Sequence, residues 1–365
     1  MFISTPLVNG GEVYIIDATN DTVSRNHPVI GVFNASLMAL TPDKTKAAVF
    51  AATLNTLTVL DTQTEAALGT IGLSGSTESM VTLPDDTTLI AAEPTAPFTG
   101  SVQNGIVQFA DLTAGVVTAS IAVPQARRLV LNHAGTKAIV FSDDYSVNLI
   151  DTAAKTATPV TSTSFDRPVN AVFSTDDSTA YILSCGVECG GTTANVSALN
   201  MSSGAVGAPT PVTGATVGII DSSNRLYVAG STAAGGFIDI LDPSSLTVTK
   251  SAIPIGDGNH TLMVLTSRNQ LFVGATNCTN GLCMSIYNTA SQAVFINPCV
   301  SGTSMCPSGN VTGMQSLDSR GIMYVLQGGI LHIYDLKKDP PQENLTVGIP
   351  FLTLLGNLSD VKQID

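Results

Sequence analysis

Six cysteines are the residues whose type and spacing point most directly to chemistry. They form three local pairs, with three, four or six residues between partners: Cys185 and Cys189, Cys278 and Cys283, and Cys299 and Cys306. An even number of locally paired cysteines is typical of disulfide-closed loops in an oxidising compartment. Metal binding is the alternative, but a structural zinc site usually needs CxxC-type spacing, and these spacings differ from it and from one another. The pattern favours three disulfides.

A second set of candidates consists of charged residues and one histidine near the starts of repeated strands: Glu78, Arg127, Arg128, Asp166, Arg167, His260 and Asp360. Charged residues make up only 12% of the chain, so such a set is unusual in it. It could hold an anionic or sugar ligand, with arginine as a planar fork. The alternative is that these are solvated or mutually paired charges. The ligand-binding residues that we predict from the set are Glu78, Arg127, Arg167, His260 and Asp360.

Catalytic and metal signatures are missing from the sequence. No GxSxG, Walker or Rossmann pattern stands in the strand-to-helix context that it requires. The four histidines (His27, His133, His260 and His332) are scattered over different repeat units, so nothing groups them as metal ligands. Aspartate pairs such as Asp85-Asp86 are explained by turn chemistry, and none matches an EF-hand loop. We therefore predict no catalytic residue, no metal and no cofactor.

The composition of the chain is that of strands and turns. Of its 365 residues 44% are hydrophobic, none is Trp, and the formal net charge is −13. This charge argues against nucleic-acid binding, which needs a basic surface. No apolar run is long enough for a transmembrane helix. The first residues, MFISTPLVNGG, lack the basic start and apolar core of a signal peptide, so an exported protein would be a mature or trimmed form.

The chain is built from one repeated hairpin, and the candidate residues named above are placed by this repeat. Its clearest copy is TLTVLDTQTEAALGTIG at 56–72, in which a strand ends at Asp61 and a polar turn leads into a weaker strand. The equivalent strand ends are Asp17, Asp61, Asp111, Asp151, Asn200, Asp242, Asn288 and Asp335, spaced by 40 to 50 residues. A period in the forties with four strands per period is typical of a β-propeller. The side chain at each strand end can accept hydrogen bonds from backbone N–H groups two residues on.

The two ends of the chain predict circular closure. MFIST resembles the second strand of a unit, whereas 357–365 resembles a first strand with nothing after it. We predict an all-β fold, one β-propeller domain over 1–365 with eight four-stranded blades, seven being the alternative, closed by the C-terminal strand. Closure would remove free sheet edges. The predicted blades are 1–31 plus 357–365, 34–73, 76–123, 126–165, 167–212, 214–256, 259–300 and 310–349.

The repeat resembles a known family. VYIIDATNDTV (13–23), LTVLDTQTEAA (57–67) and LTPDKTKAAVFAAT (40–53) are similar to the YVTN-type β-propeller repeats of bacterial and archaeal surface proteins. The likeness covers essentially the whole chain, but its motifs are structural and degenerate. It implies a propeller, frequently seven-bladed and often on an exported or cell-surface protein. Such membership implies no enzyme, because propellers carry many unrelated functions.

Two functional hypotheses follow. The first is a non-catalytic extracellular or cell-surface propeller, possible in the periplasm too, that binds a protein or glycan through its loop-rich face or assembles into a surface layer or filament. All three cysteine pairs fall in loops of that face, where binding usually resides. The alternative is an enzyme with a site at the channel mouth, either a lactonase-like hydrolase or a quinoprotein-like dehydrogenase. Eight-bladed quinoproteins usually stack their cofactor on Trp, which this chain lacks. Lactone turnover that is lost in Arg127→Ala or His260→Ala would decide for the enzyme.

Overall fold

The computed structural model describes residues 2–5, 12–17, 19, 22–23, 35–100, 103–298, 307–343 and 360–363. Over these ranges the chain is all-β, with two short 3-10 turns at Gly186–Cys189 and Thr279–Gly281. Within the same ranges, no helix is long and apolar enough to cross a membrane.

The described strands form eight four-stranded sheets, and all the strand pairs within them are antiparallel. Seven of the sheets are each built from four consecutive strands. Three of these precede residue 161: β4 (Ala35–Leu40), β5 (Lys46–Ala51), β6 (Thr56–Asp61) and β7 (Ala67–Gly72); β8 (Ser79–Thr82), β9 (Thr88–Glu93), β10 (Ile106–Asp111) and β11 (Val116–Ala122); β12 (Ala126–Leu131), β13 (Lys137–Ser142), β14 (Val147–Asp151) and β15 (Thr156–Val160). Four follow it: β16 (Pro168–Phe173), β17 (Thr179–Ser184), β18 (Asn195–Asn200) and β19 (Thr210–Pro211); β20 (Val217–Ile220), β21 (Leu226–Thr232), β22 (Gly235–Asp242) and β23 (Thr247–Ile255); β24 (Asn259–Leu265), β25 (Gln270–Thr276), β26 (Met284–Asn288) and β27 (Val294–Ile296); β28 (Val311–Leu317), β29 (Ile322–Gln327), β30 (Ile330–Asp335) and β31 (Gln342–Glu343).

The eighth sheet is composite. It contains β1 (Phe2–Thr5), β2 (Glu12–Asp17), β3 (Thr22–Val23) and, beside β1, the C-terminal β32 (Asp360–Lys362). In this pairing Ser4 lies opposite Asp360 and Phe2 opposite Lys362. The predicted strand at 357–365 is thus observed over its middle three residues; positions 357–359 lie outside the described part.

Consecutive four-stranded antiparallel meanders of this kind are the blades of a β-propeller. Seven of the sheets, each built from four consecutive strands, are the complete blades that the seven-blade alternative requires. The eight-blade prediction also requires the composite sheet to be a blade of the same ring, and this stays a prediction.

The chain divides into two compact units, Met1–Thr161 with Ser359–Asp365, and Ser162–Leu358. In each unit, apolar side chains of neighbouring sheets form the core. Phe50 and Val59 pack with Leu89 in the first unit, and Tyr227 packs with Val273 in the second. Second strands such as β5 are small and apolar because they are buried along nearly their whole length.

The predicted strand ends are confirmed, because the eight Asp and Asn residues named above each close a third strand. Their side chains cap the following turn. The Oδ1 atom of Asp61 accepts hydrogen bonds from the amides of Gln63 at 2.9 Å and Thr64 at 2.7 Å. Asn200 makes the same contacts with Ser202 and Ser203. The repeated residue is therefore a turn-closing device rather than a catalytic one.

Candidate functional site

The predicted ligand-binding residues are divided between the two units. Glu78, Arg127 and Asp360 belong to the first, whereas Arg167 and His260 belong to the second. Each group is described within its own unit, and the role of all five as ligand-binding residues stays a prediction.

Arg127 is held between two carboxylates. Its Nε atom lies 2.9 Å from Oε2 of Glu78, and its NH1 atom lies 3.1 Å from Oδ1 of Asp143. All three side chains are largely exposed, so the pairs contribute little to stability. They do offset the charge of Arg127, in agreement with the mutual-pairing alternative for this residue.

Asp360 is also committed to neighbouring groups. Its Oδ2 atom accepts a hydrogen bond from the amide of Met38 at 3.0 Å, and its Oδ1 atom accepts one from Val361 at 2.8 Å. The ammonium of Lys362 lies 3.2 Å from Oδ1. Burial raises the pKa of Asp360, and Lys362 and these amides counteract the rise only in part. The carboxyl group of Asp360 therefore has a structural role, since its contacts hold neighbouring strands together.

His260, in the second unit, is almost fully buried, and both of its ring nitrogens lie within hydrogen-bonding distance of a neighbouring group. Nε2 lies 2.9 Å from the carbonyl oxygen of Gly256, and Nδ1 lies 3.2 Å from Oγ of Ser231. A carbonyl only accepts hydrogen bonds, so this network assigns the proton to Nε2. Burial lowers the pKa of His260 to about 4, and the ring is therefore neutral at pH 7.

Ser231 and His260 resemble a nucleophile and its base only in part. The hydroxyl proton of Ser231 has a nearer acceptor, the carbonyl oxygen of Gly258 at 2.7 Å. The other ring nitrogen of His260 is oriented by a main-chain carbonyl rather than by a carboxylate. An activated serine needs a base free to take its proton, so this geometry is better suited to fastening loops together.

Arg167 stands at the entry to β16. It has a left-handed backbone with φ of 62° and an exposed side chain, and its carbonyl oxygen accepts a hydrogen bond from the amide of Cys185 at 3.0 Å. This main-chain contact places Arg167 beside the first cysteine loop.

Two of the three predicted disulfides are present in the second unit. Cys185 is bonded to Cys189, and Cys278 to Cys283. The third predicted pair, Cys299 and Cys306, lies outside the described residues. The two observed bonds indicate an oxidising environment.

The first cysteine loop is fastened on both sides. Oδ2 of Asp166 accepts hydrogen bonds from the amides of Thr192 and Thr193, both at 2.7 Å. The Thr192 hydroxyl is the main cause that lowers the pKa of Asp166. On the other side, Oε2 of Glu188 accepts the amide hydrogen of Ser231 at 2.7 Å, which joins this loop to the next sheet. Burial raises the pKa of Glu188.

The second cysteine loop is fastened in the same way. Asp257 accepts hydrogen bonds from the Thr279 amide at 3.0 Å and from the Thr279 hydroxyl at 2.5 Å. The same hydroxyl is the main cause that lowers the pKa of Asp257. The amide of Asn277 donates to Oδ1 of Asn310 at 2.8 Å, which extends the connection to β28. We call residues 185–194, 231–235, 256–260 and 277–283 the pinned rim.

The pinned rim presents apolar side chains to solvent. Val187 is 63% exposed and Leu282 is 39% exposed, and each stands between or beside the two cysteines of its loop. Both loops join the second strand of a sheet to its third, so they project from equivalent sheet ends. Exposed apolar side chains mark an interaction site when they form a contiguous patch rimmed by polar residues.

Sequence reasoning located these loops but missed the residues that connect them, which are Glu188, Ser231 and Asp257. The available signal was the coincidence of cysteines with the insertions at 185–194 and 277–283, together with a third insertion at 231–236 that contains no cysteine. Which carboxylate contacts which loop depends on how neighbouring sheets pack, and no spacing along the chain reports that.

Comparison with known proteins extends only to the fold. No family model and no curated protein sequence matches the chain. Among solved structures 1476 chains match, so the fold is too widespread to specify a function. One of them, the hydrazine synthase of Kuenenia stuttgartiensis, is similar with a TM-score of 0.53 and 16% identity over 92% of this chain and 86% of that chain.

Proposed function

We propose that this chain is a non-catalytic, exported β-propeller whose pinned rim binds a macromolecular partner. The observation that carries the proposal is the hydrogen-bonded path from the Cys185–Cys189 loop to the Cys278–Cys283 loop. Glu188 connects the first loop to Ser231, Ser231 lies against His260, and Asp257 fastens the second loop. Loops ordered before binding lose less entropy when a partner binds.

A protein partner is favoured over a glycan. Val187 and Leu282 offer apolar contacts, and apolar side chains surrounded by polar groups are typical of protein interfaces. A glycan would be recognised mainly through planar polar groups and aromatic faces, and only 5% of the chain is aromatic. The partner surface is expected to carry few acidic groups, because this chain has a net charge of −13.

The disulfides support export to an oxidising compartment, either outside the cell or in the periplasm. We further propose that the eight sheets form one closed eight-bladed ring with β32 completing the first blade. The pairing of β1 with β32 supports this proposal. Similarity of the repeats to YVTN-type surface proteins is consistent with a cell-surface role, including assembly into a layer or filament.

The experiment compares charged substitutions on the rim with a matched control. The double variant Val187→Asp/Leu282→Asp places charges at both loop tips. Leu54→Asp makes the same change at a 62% exposed residue in the equivalent loop of a sheet in the other unit. Wild type and variants are tested by biolayer interferometry against exported proteins of the source organism and against a glycan array.

The proposal predicts a protein ligand whose affinity falls at least about tenfold in the double variant and is unchanged in Leu54→Asp. Ligands that bind all three forms equally would remove the rim as the binding site. Glycan binding without protein binding would overturn the choice of partner.

A further inference from the structure

Strand register identifies one position that recurs in the first strand of every sheet. In the β4–β7 sheet it is the residue paired with Phe50, and in each other sheet it is the residue at the equivalent place in the first strand. The eight occupants are Leu37, Ser79, Arg128, Asn170, Val217, Leu262, Gly313 and Asp360. Four are apolar or glycine, and among the four polar ones Arg128 differs in its chemistry.

The other polar occupants act as hydrogen-bond acceptors for first-strand amides. The Ser79 hydroxyl accepts from the amide of Leu129 at 3.0 Å, and Asp360 accepts from that of Met38 at 3.0 Å. Asn170 accepts from the adjacent amide of Ala171 at 3.0 Å. In each case the amide belongs to the residue that follows the recurring position in a first strand. The structural role of the position is thus to supply an oxygen.

Arg128 cannot fill this role, because a guanidinium carries five N–H donors and no acceptor. Its side chain is half-buried, and burial, followed by the charge of Arg127, lowers its pKa. Among the described residues its guanidinium group has no ion pair and no hydrogen bond. A poorly hydrated cation without a counter-charge is unfavourable. Its neighbour Arg127 has already engaged Glu78 and Asp143.

We propose that Arg128 binds a small oxyanion, a carboxylate or a phosphate group, at the first-strand edge of the β12–β15 sheet. A guanidinium matches the paired oxygens of both groups. The Ser79 hydroxyl is a candidate second donor, since it accepts from the amide of Leu129, the residue after Arg128, and its own proton has no acceptor among the described residues. This site lies in the first unit, whereas the pinned rim lies in the second. The proposal of an oxyanion site is therefore tested separately from the proposed function.

The test is isothermal titration calorimetry with sodium phosphate and, separately, sodium acetate, with chloride adjusted to hold ionic strength constant. Wild type is expected to bind at least one anion with a saturable isotherm. Arg128→Gln is expected to bind about 10-fold to 100-fold more weakly, the range for loss of a charged hydrogen bond. Arg225→Gln, the matched control, removes an arginine of the other unit that is already paired with Asp221, and it should retain binding.

A second variant separates lost binding from lost folding. Arg128→Leu introduces the residue that occupies the same position as Leu37 and Leu262. In buffer without oxyanions it should melt no lower than wild type, and phosphate or acetate should not raise its Tm. The proposal is overturned if neither anion binds wild type, if Arg128→Gln binds as well as wild type, or if Arg128→Leu is still stabilised by the anion. Preference for one anion assigns the ligand class.

Discussion

The carboxylate of Asp360 lies 3.0 Å from the amide nitrogen of Met38, although the two residues are 322 positions apart in sequence. Asp360 belongs to β32, which pairs with β1, and Met38 belongs to β4 in the next sheet. The end of the described chain thus connects two sheets near its beginning through main-chain pairing and through one side-chain hydrogen bond.

Replacing Asp360 should weaken this connection. Asp360→Ala leaves the amides of Met38 and Val361 without their acceptor, and we expect a loss of about 1–3 kcal/mol in the free energy of unfolding. Asp360→Asn keeps one of the two acceptor oxygens and should lose less. Urea unfolding of both variants measures the difference, and equal stability of wild type and Asp360→Ala would show that the contact contributes nothing.

Removal of β32 should have a larger effect. Deletion of residues 360–365 removes the partner of β1 and exposes its edge. We expect a lower Tm and an increased tendency to aggregate. An unchanged Tm would contradict the proposal that this strand closes the ring.

Glu93 should make stability depend on alkaline pH. Its side chain is fully buried at the end of β9, and neither carboxyl oxygen has a hydrogen bond of normal geometry among the described residues. Burial raises its pKa to about 8, and the amides of Gly75 and Ser74 offset this only in part. In the unfolded chain a glutamate ionises near pH 4.5.

The direction in which the free energy of unfolding changes with pH follows from these two pKa values. Below pH 4.5 both states bind the proton and no cost arises; between pH 4.5 and 8 only the unfolded state releases it, so stability falls as pH rises. Chemical unfolding at pH 4.5 and pH 8 should differ by on the order of 3 kcal/mol from this residue. Glu93→Gln should remove that dependence, and Glu78→Gln, which alters an exposed carboxylate, should leave it. If the free energy of unfolding varies with pH equally in wild type and in Glu93→Gln, Glu93 is not the cause of the pH dependence.

The turn-closing aspartates should tolerate asparagine and resist alanine. Asp61→Asn keeps the acceptor for Gln63 and Thr64, as Asn200 and Asn288 do in their own turns. Asp61→Ala removes it and should lower Tm. The Thr64 amide is the main cause that lowers the pKa of Asp61, so its stabilisation is present above the unfolded pKa and is lost on acidification. Thermal melts at pH 7 and pH 3 should show Asp61→Asn to be less acid-sensitive than wild type. If Asp61→Asn destabilises as much as Asp61→Ala, charge rather than hydrogen bonding is responsible.

Opening one cysteine loop should have a local effect. The Cys278–Cys283 bond closes a loop with a sequence separation of 5, for which chain entropy gives a stabilisation of about 2 kcal/mol. Cys278→Ser/Cys283→Ser should therefore stay folded, with faster amide hydrogen exchange confined to 277–283. Cys185→Ser/Cys189→Ser is the matched variant, with faster exchange expected at 185–194. Exchange that accelerates throughout the second unit would show that the bond supports the unit rather than its loop.

The sequence by itself determined the repeating scaffold. Strands that alternate with period 2, small apolar residues in doubly buried strands and an Asp or Asn that closes each third strand are local properties. For that reason Asp17 through Asp335 could be recognised as equivalent from spacing alone. The cysteine pairs were recognisable for the same reason, because each disulfide closes only a short loop.

Only the tertiary structure decided which side chains meet. The contact between Glu188 and Ser231 spans 43 residues and depends on how two neighbouring sheets pack. The burial of Glu93, and the lack of a partner for Arg128 among the described residues, depend on the packing of sheets in the same way. A local pattern reports backbone geometry within one hairpin, whereas a site requires side chains from several sheets to converge.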